Sequence, residues 1–341
     1  MSVPDLSFFG GVLTERPSAF CPAWFCPGPL LQSVWGPLFR SFPALPWRRE
    51  RWDTPDGDFL DLDFLEPQRP GAPTLLALHG LEGSSASHYI QGAASEAARR
   101  GWGVVALNFR SCSGEPNRTP RYYHSGETED LQFVVDRLVG RLKGPLLLVG
   151  FSLGGNVLLK WLGERGGELP AAVKGAAAVS APFAPGESAR RLDSFGGVIF
   201  RWNLLSSLRS KCRNFALRYP DMLDPERVLH IKRISELDRW YTAPLHGFAD
   251  EEDYYARSSC LGYLPGIRVP TLLLSAADDP IVPASTFPAE KVQGSSWLKG
   301  ELLPRGGHVG FVSGRSPHAP VYWAEARAAA FLAGCTGEEE G

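Results

Sequence analysis

The sequence is poor in the features that mark metal sites, disulfide frameworks and nucleic-acid binding. Its six cysteines form no Cys-x-x-Cys pair and join no histidine cluster with zinc-site spacing, so no metal site is expected. Scattered single thiols are typical of proteins from a reducing compartment. The formal net charge is −2, from 35 Lys and Arg against 37 Asp and Glu, so a nucleic-acid partner is not expected either.

The N-terminal region carries neither a secretory signal nor an uninterrupted membrane-spanning run. Residues 1–13 have no basic start followed by an apolar stretch. Residues 17–39 hold no charge and are long enough to cross a bilayer, but five prolines interrupt them. We expect residues 1–45 to form an irregular apolar arm packed on the core, in a cytoplasmic protein with no integral membrane segment. Peripheral contact with lipid stays open as the alternative.

Short apolar runs alternate with longer helical patterns over most of the chain. The apolar runs are nearly continuous, which is typical of parallel strands buried on both faces. The predicted strands are Thr74–Leu78, Gly103–Phe109, Pro145–Gly150, Ala176–Ser180 and Thr271–Ser275, and the helices between them include Tyr89–Arg99, Glu127–Leu138 and Gly155–Leu162. This alternation predicts an α/β fold with a mostly parallel central sheet flanked by helices.

The alternation stops between about residues 183 and 265, where no buried strand is predicted. A segment inserted there leaves from and returns to the edge of the sheet where active sites form. We therefore predict a helical cap over residues 183–265 and a core formed by residues 46–182 and 266–335.

The predicted cap combines basic and large apolar residues. Residues 187–233 hold ten Lys or Arg against five Asp or Glu. This is interpreted as a solvated helical surface, with an anion-binding or membrane-facing surface as the alternative. Phe195, Phe200 and Trp202 need apolar neighbours, and we propose that they belong to a lid that lines an acyl pocket. The alternative is that they only attach the insertion to the core.

Residues 150–154, Gly-Phe-Ser-Leu-Gly, place a serine where a predicted strand gives way to a predicted helix. A Gly-x-Ser-x-Gly motif in this position is typical of a nucleophile elbow, whose serine lies on a strained turn above the sheet. The positions two residues before and after the serine must be small, and both are glycine. The pattern predicts a serine hydrolase of the α/β-hydrolase fold with Ser152 as nucleophile.

The loop after the strand Thr74–Leu78 is the expected source of one oxyanion donor. In this fold the donors are the backbone N–H of the residue after the nucleophile and one N–H from that loop. We therefore assign the oxyanion hole to the backbone N–H groups of Leu81 and Leu153. His79, at the start of the loop, is not expected to be the base because it precedes the nucleophile in the chain.

The acid and the histidine should follow the nucleophile in that order. Asp278 and Asp279 follow the last predicted strand, and the proline after Asp279 biases that residue towards an extended conformation. We favour Asp279 as the acid and keep Asp278 as the alternative. His308 lies in a Gly-Gly-His-Val-Gly loop, whereas His318 has no such setting. His308 is therefore the predicted base, with Asp279 fixing its tautomer.

Several longer motifs are distributed over the chain from about residue 25 to residue 330. They are His79–Gly83, Asn108–Arg118, Tyr123–Asp130, Gly150–Asn156, His246–Asp250 and Gly306–Phe311. Together they resemble the motifs of the bacterial YheT-like hydrolases, a branch of the α/β-hydrolase superfamily, and they are far more specific than the serine pentapeptide alone.

The resemblance implies a carboxylic-ester hydrolase that acts on a small-molecule ester and needs no metal and no organic cofactor. The triad of the family maps onto Ser152, Asp279 and His308, in agreement with the assignment from residue order. Eukaryotic relatives often carry an N-terminal membrane anchor, but this chain starts close to the fold, which favours a soluble protein. Neither the substrate nor the oligomeric state is indicated.

Two other functions stay open. An acyltransferase or ester synthase would form the same acyl-enzyme and pass the acyl group to an alcohol instead of water. A non-catalytic binding protein would use the same scaffold without the chemistry, because a fold does not fix a function. The polar residues Arg110 and His124 are interpreted as supports of the elbow, with substrate binding as the alternative.

Overall fold

The computed structural model describes residues 19–42 and 45–337, and its centre is a sheet of eight strands. In chain order the strands are β1 (Arg48–Asp53), β2 (Phe59–Leu65), β3 (Thr74–Leu78), β4 (Gly103–Asn108), β5 (Leu146–Phe151), β6 (Val173–Val179), β7 (Thr271–Ala276) and β8 (Leu298–Leu303). They lie in the order β1-β2-β4-β3-β5-β6-β7-β8. β2 is antiparallel to both of its neighbours, and the other neighbouring pairs are parallel. The predicted mostly parallel sheet is confirmed.

Helices cover both faces of this sheet, and a small hairpin of β9 (Val312–Ser316) and β10 (Ala319–Tyr322) lies apart from it. The helices are α1 (Pro29–Phe39), α2 (His88–Arg99), α3 (Glu129–Val139), α4 (Leu153–Arg165), α5 (Pro185–Asp193), α6 (Val198–Arg218), α7 (Pro225–His230), α8 (Ile234–Leu237), α9 (Ala243–Leu245), α10 (Glu251–Ser258), α11 (Ala289–Gln293) and α12 (Trp323–Gly334).

The central strands are apolar along their whole length because both of their faces are buried. In β3, Leu75 and Ala77 pack into an apolar cluster with α2 and α12. The alternate residues, Leu76 and Leu78, pack into a second cluster with α3 and α4 on the other face. Successive side chains of a strand point to opposite faces, so a strand between two helical layers needs apolar residues at every position.

The two strands at one edge of the sheet were not predicted because charged residues interrupt their apolar pattern. β2 is buried throughout although it contains Asp61 and Asp63. Each aspartate accepts two hydrogen bonds of 2.8 Å from the arginine opposite it on β1: Arg51 pairs with Asp61 and Arg49 with Asp63. Paired in this way, the carboxylates are tolerated in a buried strand.

The chain between β6 and β7 is helical and contains no strand, so the helical insertion of the predicted fold is confirmed. It runs through α5 to α10, with one π-helical turn at Asp238–Thr242. The expected packing of its large apolar residues is only partly right. Phe200 is partly buried against the core, whereas Phe195 and Trp202 are 94% and 75% exposed. The proposed limits of arm, core and cap at residues 46, 183 and 266 remain predictions.

The arm at the N-terminus is more regular than expected. Residues 1–18 and 43–44 of the predicted arm lie outside the described residues, but Pro29–Phe39 form a helix where an irregular segment was expected. Pro29 is at the start of the helix, where a backbone N–H would have no partner within the helix in any case. Pro37 is within three residues of the helix end. No helix in the described part of the chain is long and apolar enough to cross a membrane.

Arg110 lies in a buried cluster of ion pairs at the end of β4. Its guanidinium donates two hydrogen bonds of 2.7 Å to Asp130 and one of 3.1 Å to Asp58, and it also pairs with Asp56. The Arg110 side chain is 1% exposed, which supports the interpretation of this residue as a structural support.

We expect Arg110→Met to lower the free energy of unfolding by about 3–5 kcal/mol, because it leaves buried carboxylates without their counter-charge. Urea denaturation followed by circular dichroism measures the change. Arg118→Met is the matched control, since the Arg118–Asp53 pair is exposed and such pairs contribute roughly 0–1 kcal/mol. Equal stability losses in the two variants would contradict the structural role of the buried cluster.

Candidate active site

Ser152 lies at the sharp turn between β5 and α4. Its backbone has φ 51° and ψ −122°, a conformation that is strained for a residue with a side chain. As the N-cap residue of α4, Ser152 lies where the unpaired N–H groups and the dipole of the helix favour negative charge. The predicted strand–serine–helix arrangement is therefore present.

The glycines on either side of Ser152 are required by close packing. A Cβ atom at Gly150 would overlap the carbonyl oxygen of Gly154. A Cβ atom at Gly154 would lie 2.5 Å from the carbonyl oxygen of His79. A larger residue at Gly150 would clash with the first turn of α4, and one at Gly154 would push that turn away from the end of β3 and the loop that follows it. The two glycines therefore allow the close packing around Ser152.

The structure brings Ser152, His308 and Asp279 into one hydrogen-bonded chain. Nε2 of His308 is 2.9 Å from Oγ of Ser152, and Nδ1 of His308 is 2.8 Å from Oδ2 of Asp279. The other oxygen of Asp279 accepts hydrogen bonds from the backbone N–H groups of Ile281 and Val282 at 2.8 and 2.9 Å. This arrangement holds the aspartate in place and suits a proton transfer from the serine to the histidine.

Asp278, the alternative acid, has a different position. Its Oδ1 accepts a 2.9 Å hydrogen bond from the backbone N–H of Gly307, next to His308. Burial raises the pKa of the Asp278 carboxyl, and the hydrogen bonds from Gly307 and Gly306 only partly offset that effect. The structure thus places Asp278 against the backbone of the histidine loop and Asp279 against the imidazole ring.

Helix α1 supports the histidine loop, a contact between distant segments that sequence reasoning missed. The backbone N–H of His308 donates a 2.8 Å hydrogen bond to Oγ of Ser33. Gln32 accepts a hydrogen bond of 2.6 Å from the N–H of Val312 and donates to the carbonyl oxygens of Val312 and Cys26. The side chain of Gln32 is buried, so it ties β9 and the end of the loop to the N-terminal segment.

The two predicted oxyanion donors lie beside Ser152. Leu81 and Leu153 both line the cavity that contains Ser152. Among the hydrogen bonds of the described residues, neither backbone N–H has a protein acceptor. A Cβ atom at Gly80 would be 3.1 Å from Cβ of Ser152, which shows how closely the loop approaches the serine. Two free N–H groups beside a nucleophile can stabilise a developing negative charge.

His79 does not take part in this hydrogen-bonded chain. Its Nε2 accepts the backbone N–H of Phe109 at 3.1 Å and its Nδ1 lies 2.7 Å from the carbonyl oxygen of Gly80. Burial lowers the pKa of His79 to about 4, so the ring is neutral and its tautomer is set by these two partners. The ring joins β4 to the loop after β3.

Glu82, the residue after the proposed donor Leu81, connects this loop to the cap. Its carboxylate accepts hydrogen bonds of 2.9 and 3.0 Å from Tyr122 and Tyr123. From α6, the ammonium group of Lys211 donates a hydrogen bond of 3.0 Å to this carboxylate, and the hydroxyl of Ser207 donates another. We call these five residues the Glu82 cluster. Sequence reasoning missed it because Ser207 and Lys211 are 125 and 129 residues away from Glu82 along the chain.

Ser152 and His308 open into a cavity of about 570 Å³ between the core and the cap. Its wall is mostly apolar and includes residues of α1, α5 and α6. Asp238, from the π-helical turn of the cap, also lines it and accepts hydrogen bonds from Tyr255 and Thr242. His124 lines the cavity too, and burial holds the pKa of its ring well below the usual value. The cavity is of a size and character suited to a small organic ligand.

The sequence matches the family described as the alpha/beta hydrolase fold over residues 73–314. This chain therefore belongs to the α/β-hydrolase family, and the enzyme class predicted from the sequence, a carboxylic-ester hydrolase, is confirmed.

Two relatives match over most of their length. The chain is 38% identical over 303 residues to YheT of Escherichia coli, which is named as a candidate esterase, and the match covers 87% of this chain and 88% of that one. It is 31% identical to phospholipase ABHD3 of Mus musculus over 91% of this chain and 77% of that one. The predicted resemblance to YheT-like hydrolases is confirmed.

A solved structure shares the fold. An esterase of Pyrococcus furiosus superposes with a TM-score of 0.56 at 17% sequence identity, covering 88% of this chain and 96% of that one. At this identity the match shows the architecture alone.

We expect Gln32→Leu to lower the free energy of unfolding by about 1–3 kcal/mol, because it removes the acceptor of the buried Val312 N–H. Denaturation in urea measures the loss. The exposed Gln293 of α11 offers a matched control, and Gln293→Leu should leave stability nearly unchanged. If Gln32→Leu is as stable as the control, α1 does not support the histidine loop.

Proposed function

We propose that this chain hydrolyses carboxylic esters through an acyl-enzyme on Ser152, with His308 as general base and Asp279 as the residue that orients it. The observation that carries the proposal is the hydrogen-bonded chain from Ser152 through His308 to Asp279. It begins at a strained turn, which exposes the serine hydroxyl to an apolar cavity.

In the proposed acylation, Oγ of Ser152 attacks the ester carbonyl carbon while Nε2 of His308 takes the hydroxyl proton. The carbonyl oxygen becomes negative and accepts hydrogen bonds from the N–H groups of Leu81 and Leu153. Collapse of this intermediate breaks the bond to the alcohol, which leaves with the proton held by His308. Asp279 keeps Nδ1 of His308 protonated, so that Nε2 is free to accept.

In the proposed deacylation, a water molecule replaces the alcohol. His308 takes a proton from the water as it attacks the acyl carbon, and the same N–H groups stabilise the second intermediate. Release of the carboxylic acid returns the proton to Ser152. The fixed donors act in both halves because neither is engaged by another protein group among the described residues.

The apolar wall of the cavity supports the proposal that the cap encloses the acyl part of the substrate. Leu192, Phe200 and Leu208 contribute apolar side chains from α5 and α6 to its wall. Enclosing an apolar chain there removes it from water, at about 25 cal/mol for each Å² buried. The phospholipase name of the relative from Mus musculus agrees with an acyl ester of a lipid type.

We expect a fluorophosphonate probe to label Ser152, because phosphonylation needs the same activated hydroxyl as acylation. Mass spectrometry of the digested protein should place the adduct on the peptide that contains Ser152. Ser152→Ala should abolish labelling, while Ser206→Ala, which alters an exposed serine of α6, should leave it unchanged. An adduct on another residue would overturn the assignment of the nucleophile.

We expect Asp279→Asn to lower kcat for a soluble ester by about 10⁴-fold, because an amide favours the wrong imidazole tautomer. Asp278→Asn should cost much less, since Asp278 contacts the Gly307 backbone and not the imidazole. Steady-state kinetics with a p-nitrophenyl ester measures both variants. A larger loss in Asp278→Asn than in Asp279→Asn would move the acid to Asp278.

A further inference from the structure

The mouth of the substrate cavity is bordered by apolar side chains that face solvent. Leu38 of α1 is 67% exposed and Trp202 of α6 is 75% exposed, and both also line the cavity. Ile199, one turn before Trp202 on the same helix, shares both properties. These side chains lie on the border between the cavity and the surface of the protein.

Two exposed aromatic side chains lie next to these residues in the chain. Phe39 follows Leu38 at the end of α1 and is 63% exposed. Phe195 lies just before α6 and is 94% exposed. We call Leu38, Phe39, Phe195, Ile199 and Trp202 the apolar rim. Several large exposed apolar side chains in two short segments, three of them around one cavity mouth, are uncommon on soluble proteins and are typical of a contact surface.

The charges near the apolar rim fit a lipid surface. Helix α1 contains no charged residue. Residues 194–208, which include the start of α6, contain no acidic residue and a single arginine, Arg201. The wider segment from 187 to 233 holds ten basic and five acidic residues. An apolar surface with aromatic side chains and few acidic residues, in a segment with an excess of basic residues, is typical of proteins that bind the interface of a bilayer.

We propose that the apolar rim docks this chain on a lipid surface, so that a lipid ester passes from the surface into the cavity without crossing water. The inference rests on the proposed function for its substrate class, because Leu38, Ile199 and Trp202 line the cavity of Ser152 as well as the rim. The lipid surface covers the exposed side chains, and the cavity receives the acyl chain.

A second copy of this chain is the competing occupant of the apolar rim. It would also cover the exposed side chains, but it would close the mouth of the cavity to a substrate. The position of the rim around that mouth therefore favours a surface that itself contains the substrate.

Vesicle binding tests the proposal without depending on hydrolysis. The full chain is mixed with vesicles of ether-linked phosphatidylcholine, with and without ether-linked phosphatidylglycerol, and bound protein is separated by flotation. Ether lipids contain no ester, so binding is measured apart from turnover. We expect the wild-type chain to float with the vesicles, and the anionic lipid to increase its binding.

The variants Phe39→Asp and Phe195→Asp should each lower the vesicle partition coefficient roughly tenfold or more, because each replaces a ring that enters the lipid surface with a charge. Neither residue lines the cavity, so both variants should hydrolyse a short soluble ester at the wild-type rate. The matched control is Trp297→Asp. Trp297 is 38% exposed and precedes β8, so it lies at the amino-terminal ends of the parallel strands, whereas Ser152 lies at their carboxyl ends. This variant should therefore bind vesicles normally.

Three results would overturn the proposal: no binding of the wild-type chain, equal binding of both rim variants and the wild-type chain, or an equal loss in Trp297→Asp. Analytical ultracentrifugation tests whether a second copy occupies the rim instead. A wild-type dimer that becomes a monomer in Phe195→Asp would assign the rim to a second copy. A wild-type chain that binds vesicles but does not hydrolyse the soluble ester would instead contradict the proposed function.

Discussion

The site depends on the close approach of two backbone segments around Ser152, the turn after β5 and the loop after β3. The turn after β5 holds Ser152 at a positive φ, and the loop after β3 packs against it through the backbone of Gly154. β3 and β5 are hydrogen-bonded neighbours with parallel directions, so their carboxyl ends meet at one edge of the sheet. The nucleophile and both proposed oxyanion donors are thus positioned by backbone, which changes little when charge develops.

The histidine loop is held by a different and more distributed set of contacts. Several of its residues, including Gly306, Gly307, Val309 and Phe311, have positive φ values. Glycine adopts such values readily, but Val309 and Phe311 are strained there, and strained residues persist only where their surroundings fix them. Here Ser33 accepts the N–H of His308 and Ser180 accepts the N–H of Val309. The loop therefore depends on α1 and on the end of β6 together.

The sequence predicted the parts of the molecule whose signal is local. β3 was predicted with its observed bounds, and the chain Ser152–His308–Asp279 was assembled from residue order and turn chemistry alone. Contacts between distant segments had no such signal. Gln32 and Val312 are 280 residues apart, so only the fold reveals that they are hydrogen-bonded. The charged strands β1 and β2 were missed because their ion pairs form only once the two strands lie side by side.

The Glu82 cluster has a consequence for how this enzyme can change during evolution. The cap lines the cavity and is the natural place for substitutions that alter substrate preference. Yet its helix α6 also supplies Lys211 and Ser207 to the carboxylate next to Leu81. A cap transplanted from a relative without those two donors would leave Glu82 with a buried, unbalanced charge beside the proposed oxyanion donor Leu81. Cap and loop must therefore diverge as a pair, which limits how freely the chain acquires a new cap.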